Sequence, residues 1–305
     1  MSLKKIRSGF IVLHCKNFFF GEVFFVGSSG RKPYLVAATC RFMFVMHILL
    51  VGLFSSIANA VGSGELSVND IVEKATHASY YQGDDGRAQV SMTITDNQGR
   101  ERTRRFTILR RDDGNTDKDQ KFYVYFHRPA DVNKTVFMVW KHVDKDDDRW
   151  LYLPALDLVK RIAASDERTS FVGSDFFYED VSGRNAAEDT HELIDTTKNY
   201  YVLKNSPKNP KSVEFSHYTA WVHRKTFIPV KIEYYDKNNN KYRVYEALKV
   251  ETIEGYPTVT QSRMKDLRTK GATVISYKKV KYNVGLPGDI FTERYLRNPP
   301  KKYLR

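Results

Sequence analysis

A mainly β fold of the α+β class, with about a dozen antiparallel strands curved around an amphipathic helix, is predicted by three features of this chain. Apolar and polar residues alternate through a succession of short runs. The runs are separated by clusters such as DNQGR, RPADVN and VDKDDD, whose Gly, Pro, Asn and Asp residues favour turns. One early segment has helical spacing instead. No Pro-, Gly- or Ser-rich linker and no repeat interrupts residues 61–305, so this stretch reads as one domain.

The first 60 residues differ in character. Residues 43–60, MFVMHILLVGLFSSIANA, carry an apolar core from Phe44 to Leu53 followed by small residues and Ala58-Asn59-Ala60. This is the pattern of a secretory signal peptide cleaved after Ala60, with an apolar run too short to span a bilayer comfortably. The expected destination is the periplasm; a retained N-terminal anchor is the alternative. The nearest upstream cations are Arg41, Lys32 and Arg31, and residues 1–42 read as an N-terminal extension of uncertain status, with an over-extended start one explanation. Both cysteines, Cys15 and Cys40, precede the expected cleavage site, which excludes a disulfide, a thiol nucleophile or a Cys-ligated metal from the mature chain. Cys40 precedes the apolar run instead of following it, so it does not read as a lipidated cysteine. The formal charge of the 305 residues is +13, but residues 1–60 hold seven Lys or Arg against Glu22, leaving 42 basic and 35 acidic residues beyond. These charges alternate along the strands and predict a solvated surface, with no nucleic-acid footprint and at most peripheral attraction to anionic head groups.

Within the domain, Val68, Ile71, Val72, Ala75 and Ala78 recur at helical spacing, and Ser67 with Asp70 forms a capping pair, so a helix is expected over Ser67–Tyr81. Alternation then begins. Ala88, Val90, Met92 and Ile94 share one face, and after DNQGR a strand returns from Arg102 to Arg111. Further strands are expected at residues 121–127, 134–142, 149–153 and 158–162. A helical or irregular passage fills residues 164–187. Strands resume at 191–194, 200–204, 212–217, 220–223, 228–235 and 242–248, the last two flanking the hairpin signal DKNNNK. Residues 258–266 and 272–282 complete the strands, and a short helix is expected from Asp289 to Leu296.

The residues that carry chemistry elsewhere do not assemble into a reaction centre here. Asp144–Asp148, DKDDD, lacks the turn Gly and distal Glu of a calcium loop and reads as a solvated hairpin turn. No nucleophile elbow, zinc-binding helix or phosphate loop occurs, and the histidines of the domain are scattered. Asp175, Glu179 and Asp180 could act as an acid/base pair, but Phe176-Phe177-Tyr178 between them points to a tight turn docked on the sheet. A non-enzymatic protein with no metal or cofactor is the expectation.

The apolar faces are more informative. Phe106, Ile108, Phe122, Val124, Phe126, Val136, Met138, Trp140, Leu151 and Leu153 take alternate positions on successive strands. If those strands are neighbours, the residues form one broad apolar face, wider than a single helix covers. Two readings follow from periodicity alone: an ordinary closed core, or a partly open barrel whose pocket takes acyl chains. In the second, Phe106, Ile108, Val124, Phe126, Val136, Met138, Trp140, Leu151, Leu153 and Ile162 line the ligand cavity.

Three stretches together resemble the LolA-like family of outer-membrane lipoprotein-sorting proteins: WLYLP from Trp150 to Pro154, VKRI from Val159 to Ile162, and SFVGSDFFYED from Ser170 to Asp180. The ending VGLPGDIFTERYL, from Val284 to Leu296, is similar to that family's C-terminus. The resemblance spans nearly all of residues 61–305. It implies an unclosed antiparallel β-barrel with helices lidding a hydrophobic cavity for lipid or for the acyl chains of lipoproteins, in the periplasm. It assigns Trp150, Pro154, Arg161, Gly173, Ser174, Asp175, Tyr178, Glu179 and Asp180 a structural role as family motif. The better-known sorting chaperone and its receptor lack the WLYLP and GSDFFYED elements, so a general lipid or lipoprotein carrier is expected, of a kind that in some cases works with an inner-membrane exporter. The alternative is a periplasmic sensor or an accessory module of such an exporter; an enzyme acting on lipids is a third reading.

Overall fold

The computed structural model describes residues 66–114 and 117–305; the expected signal peptide and N-terminal extension lie outside the described residues. Helix α1, Val68–Thr76, opens with the expected capping box: Ser67 Oγ accepts from the Asp70 N–H at 3.1 Å, and Asp70 Oδ2 accepts from the Ser67 N–H at 3.0 Å. A π-helical turn, His77–Tyr81, extends it. Six strands follow: β1 Asp85–Thr95, β2 Glu101–Asp112, β3 Gln120–Arg128, β4 Val136–Lys141, β5 Asp148–Leu153 and β6 Leu158–Ile162. Residues 163–188, which include the short helix α2 (Tyr178–Ser182), then lead to a second set of seven: β7 Asp189–Thr196, β8 Tyr200–Pro207, β9 Phe215–His223, β10 Pro229–Asp236, β11 Lys241–Ile253, β12 Tyr256–Asp266 and β13 Gly271–Tyr282. The described chain ends in a segment with the short helix α3, Arg294–Arg297.

The strands form one antiparallel thirteen-stranded sheet, in the order β6-β5-β4-β3-β2-β1-β13-β12-β11-β10-β9-β8-β7. It is not closed into a barrel: β6 and β7 are its two edges. Two meanders therefore meet at the β1–β13 pair, and the two edge strands are consecutive in the chain. Residues 163–188 must cross one face of the sheet to connect them, and they act as a plug on that inner face.

The plug is apolar towards the first meander. Phe171 and Phe176 are buried with Phe106, Phe122, Val124, Phe126, Phe137 and Val139, and Tyr178 and Val181 pack beside them. Phe171 makes ring contacts with Phe106, Phe126, Phe137 and Tyr178 at centroid distances of 5.5–6.3 Å. Its backbone is knotted locally: Phe171 N–H donates to Phe176 O at 2.7 Å, Ser170 Oγ to Ser174 O at 2.6 Å, and Gly173 holds φ +80°.

Towards the second meander the same plug is ionic. Glu179 is buried and lies between Arg168 and Arg184. Arg168 reaches on to Glu214, donating from Nε at 2.7 Å and Nη2 at 2.8 Å, and Arg184 forks onto Asp189 at the start of β7. Asp180 pairs with Arg243 of β11, which is 1% exposed and lies against the Phe177 ring at 3.9 Å. Burial would lower Arg184, but Asp189 and Glu179 hold it above its ordinary value.

On the outer face of the first meander the C-terminal segment forms a second apolar cluster. Leu286, Ile290, Phe291, Leu296 and Leu304 cover Leu109, Tyr123, Val136, Met138 and Trp150. Asp85 latches this segment by accepting from the Val284 and Leu286 N–H groups at 2.6 and 2.5 Å.

Two elements are divided differently from the sequence reading. The strands expected at 212–217 and 220–223 are one strand, β9, because Tyr218 and Thr219 stay in the ladder opposite Tyr234 and Glu233 with no turn between. The helix expected over Asp289–Leu296 is broken: a 3₁₀ turn, Gly288–Phe291, is separated from α3 by Thr292, whose φ of −117° and ψ of 160° are extended.

Two outcomes test this scaffold. Asp85→Ala leaves the buried Leu286 N–H and the part-buried Val284 N–H unpaired and is expected to lower unfolding free energy by about 1–3 kcal/mol in urea titration, with Asp85→Asn losing less because one acceptor remains. The second concerns Glu214. Burial would raise its carboxyl, but the Arg168 and Tyr242 hydrogen bonds hold it down at about 2. A carboxylate with its pKa depressed in the folded state contributes stability that is present above about pH 4.3 and lost as pH falls towards 2. Discounted for solvent screening, that contribution is about 1–2 kcal/mol. Glu214→Gln should flatten the acid limb of the stability–pH curve between about pH 4 and 2, while an unchanged limb would remove Glu214 from this role.

Candidate ligand cavity

Between the inner face, α1 and the plug lies a cavity of about 420 Å³. Its size falls within the range of about 300–1,000 Å³ typical of small-molecule sites. The first meander supplies Ala88, Phe106, Ile108, Phe122 and Val124, and the second supplies Ala220, Val222, Ile232, Met264, Ile275 and Val280. Val72, Ala75, Ala78 and Tyr80 close it from α1 and the π-helical turn, and Phe171, Phe176, Asp180 and Val181 from the plug.

The cavity exists because two unlike covers meet over one sheet. Ile71 and Ala75 of α1 are buried with Tyr201, Leu203 and Val222, over the second meander. Phe171 and Phe176 are buried over the first. Neither cover reaches fully across the middle. Where they touch, the Tyr80 ring abuts Gly183, at φ +78°; a β-carbon there would lie 2.4 Å from Tyr80 Cζ. Lys141, buried on β4, lies beneath this contact. Its Nζ donates to Ser182 O at 2.7 Å and Gly183 O at 2.5 Å, and sits 5.5 Å from the Tyr80 ring centre. Burial pushes its ammonium down to about 8.

The lining mixes apolar residues with a group of tyrosines. Tyr218, Tyr234, Tyr245 and Tyr277 belong to inner-face positions of β9, β10, β11 and β13, yet each keeps intermediate exposure, which the cavity provides. Desolvation raises all four hydroxyls above their ordinary value, Tyr277 to about 12. They are neutral hydrogen-bonding groups in a chamber whose lining also includes Arg87, Arg110, Asp180, Arg184 and Lys281.

Of the residues expected in the cavity, the structure places Phe106, Ile108 and Val124 in its lining. Phe126, Leu151 and Ile162 share that face but lie in the packed cluster under the plug. Val136, Met138 and Trp140 are on the opposite side, with the C-terminal segment, where Trp140 Nε1 donates to Phe291 O at 2.7 Å. The inward residues of β4 are Phe137 and Val139 instead. Leu153, at the end of β5, is half-buried opposite Leu158 and outside the lining. The missed lining residues are mostly on the second meander, where Ile232, Tyr234, Tyr245, Met264, Ile275 and Tyr277 alternate as clearly as those of β1.

The expected motif residues have defined partners. Trp150 is buried on the outer face against Trp140, at 5.1 Å, and Arg161 covers its other side at 5.1 Å while pairing with Asp148. Pro154 starts the 3₁₀ turn between β5 and β6. Ser174 Oγ accepts from the Phe176 N–H at 3.2 Å, and Asp175 exchanges hydrogen bonds with Thr273 on β13, at 3.0 and 2.6 Å. Asp175 is raised by burial. Asp175, Glu179 and Asp180 are thus engaged with a hydroxyl or with arginines that anchor the plug. In the DKDDD run, Asp147 pairs with Arg149 at 2.8 Å and Asp148 with Arg161. Among the described residues no group of three or more His, Cys, Asp or Glu side chains is disposed to hold a metal ion.

Comparisons with known proteins agree with this architecture. A family model described as an uncharacterized protein matches residues 118–298. A crystal structure of a DUF1329 family protein from Desulfovibrio piger is 31% identical, with a TM-score of 0.69 over 75% of this chain and 98% of that one. An outer membrane lipoprotein-sorting protein domain from Vibrio parahaemolyticus, so described provisionally, is 24% identical, with a TM-score of 0.67 over 74% and 97%. A LolA superfamily protein from Nitrosomonas europaea is 21% identical, with a TM-score of 0.59 over 76% and 100%. Comparison with curated proteins returned no match. By the extent of the family match and its identity to the Desulfovibrio protein, the chain belongs to the DUF1329 family, and its unclosed sheet is the fold of LolA-like lipoprotein-sorting proteins.

Proposed function

We propose that this protein is a periplasmic carrier that shelters an acyl chain of a lipid or lipoprotein in its cavity during transfer towards the outer membrane. The observation that carries this reading is the unfilled, largely apolar chamber of about 420 Å³ between two covers of the same sheet face. An interior serving only as a core would close to native packing density. The LolA-like fold supports the same class of function.

Transfer of apolar area supplies the binding energy. Each buried methylene contributes about 0.8 kcal/mol, so a chain half sheltered from water is already held firmly. Release then requires a competing apolar site or movement of a cover. The two covers differ in how they are held. The plug is continuous with both edge strands and tied by buried ion pairs through Arg168, Arg184 and Arg243. Helix α1 itself rests on apolar contacts; its polar ties gather in the turn beyond it, where Gln82 Nε2 donates to Pro257 O at 2.7 Å, Tyr81 OH to Lys118 O at 2.6 Å, and Arg110 Nη1 and Gln120 Nε2 to Tyr80 O at 2.6 and 2.8 Å. Helix α1 is therefore the movable lid.

Two experiments test the reading. Mass spectrometry of organic extracts from the purified protein should find acyl lipid or acylated peptide in wild type, and its loss in Ile108→Trp, which fills the chamber from β2 at a cost of about 1–3 kcal/mol in stability; an empty wild type in a folded sample would sink the carrier. A cysteine pair joining α1 to β7 would be the only thiols in residues 61–305. Oxidation should slow acyl-chain uptake at least tenfold and reduction restore it, whereas equal rates would exclude α1 as the lid.

A further inference from the structure

The cavity has a polar side that apolar burial alone does not explain. Tyr80 comes from the turn after α1, Tyr234 from β10, Tyr245 from β11 and Tyr277 from β13, and all four line the chamber. Among the described residues, the hydroxyls of Tyr80, Tyr234 and Tyr277 have no protein hydrogen-bond partner, whereas Tyr218 OH donates to Asp189 at 2.9 Å and Tyr282 OH meets Thr258 Oγ1 at 2.8 Å. Tyr245 faces Ser262. Three elements far apart in sequence thus present unpaired phenols to one apolar space. A phenol hydroxyl both donates and accepts, and leaving it unpaired in a desolvated site is unfavourable, so a ligand group that pairs with it is favoured there.

The surrounding charges restrict that group. Arg243 is taken by Asp180, and Arg184 by Glu179 and Asp189. Arg110 is taken by Asp112 and by the carbonyls of Tyr80, Gln82 and Gly83. An ionised carboxylate or phosphate beside the tyrosines would find each of these cations already paired. Lys141, 5.5 Å from the Tyr80 ring, has no carboxylate partner among the described residues, but it lies outside the lining with its Nζ on the Ser182 and Gly183 carbonyls. Lys281 pairs with Glu254 at 3.1 Å. Arg87, the lining cation without an ion pair among the described residues, stands three positions along β1 from the Val90–Tyr277 pair, about 10 Å away at strand spacing.

We propose that the hydroxyls of Tyr80, Tyr234 and Tyr277 form a recognition site for the uncharged, hydrogen-bonding head of a single-chain amphiphile, a hydroxyl or ester group, and discriminate against ionised heads. This rests on the carrier reading, since the chain attached to that head occupies the apolar remainder of the cavity. The volume of about 420 Å³ fits one such molecule.

The test uses the full chain with Nile red as a neutral fluorescent probe, displaced by 1-dodecanol, monolauroylglycerol, or laurate at about pH 7.5, where its carboxyl is ionised in water. The two neutral amphiphiles should bind about tenfold more tightly than laurate, the effect of one to two hydrogen bonds. In Tyr234→Phe/Tyr277→Phe, which keeps both rings, that ratio should fall to within about twofold, with folding checked by circular dichroism. A ratio unchanged in the double variant overturns the proposal. So does laurate binding as tightly as the neutral amphiphiles or better, and its loss in Arg87→Met would move the head group to Arg87. These outcomes leave the carrier reading standing, because probe and amphiphiles still bind. If none of the four molecules binds, both fall.

Discussion

The edges of the sheet are consecutive in the chain, and most of the molecule follows from that constraint. Strand β6 ends one edge and β7 begins the other, so residues 163–188 must travel the width of a thirteen-stranded sheet. A connection that long across an apolar face cannot remain loop-like without stranding backbone polar groups. It satisfies them internally, through the Phe171–Phe176 and Glu179–Glu167 backbone bonds and the short helix α2, and presents aromatic rings to the strands beneath. The buried ion pairs at its far end are not a large source of stability, since desolvating each charge offsets much of the attraction. Their effect is positional. Glu179 between two arginines and Asp180 on Arg243 fix the height and register of the plug, and that height is the ceiling of the cavity.

The cavity is thus a consequence of geometry before it is a feature of composition. A plug anchored by charges that need partners at set distances cannot sink further towards the second meander to fill the space. Helix α1, with a single apolar face spent on Tyr201, Leu203 and Val222, cannot slide over to fill it either. The large tyrosines lining the gap reach into it without meeting one another's hydroxyls in protein hydrogen bonds. A closed core would favour aliphatic side chains at Tyr234 and Tyr277; the proposed head-group site accounts for phenols there.

How much of this was legible in the sequence depended on how many faces of a strand are buried. In β1 the alternation of Ala88, Val90, Met92 and Ile94 identifies the inner face, because the intervening residues are polar. In β4, VFMVWK, Val136, Phe137, Met138 and Val139 are all buried. Period two then carries no information about which side is which, and the reading that put Val136, Met138 and Trp140 in the cavity is out by one residue. The missing fact was the C-terminal segment lying on the outer face, which makes both sides of β4 apolar. The capping pair Ser67–Asp70, the DKNNNK hairpin and the structural character of SFVGSDFFYED were readable because their signals are local. Arg168, Arg184, Glu214 and Arg243 were not, because each is an ordinary charged residue until folding brings in a partner from another element.

The C-terminal segment also explains why the two meanders behave differently. The first is packed on both sides, by the plug within and by Leu286, Ile290, Phe291 and Leu296 without, and Asp85 ties that outer layer to the start of β1. The second carries one cover, and Leu248 and Val250 of β11 and Leu267 in the turn after β12 are exposed. Local opening is least costly where the fewest buried contacts must separate. In the proposed carrier, the three-layered half would be the fixed wall of the chamber, and the two-layered half with α1 the side that yields. Such a division would let an apolar chain enter without unravelling the ladder that holds the sheet in shape.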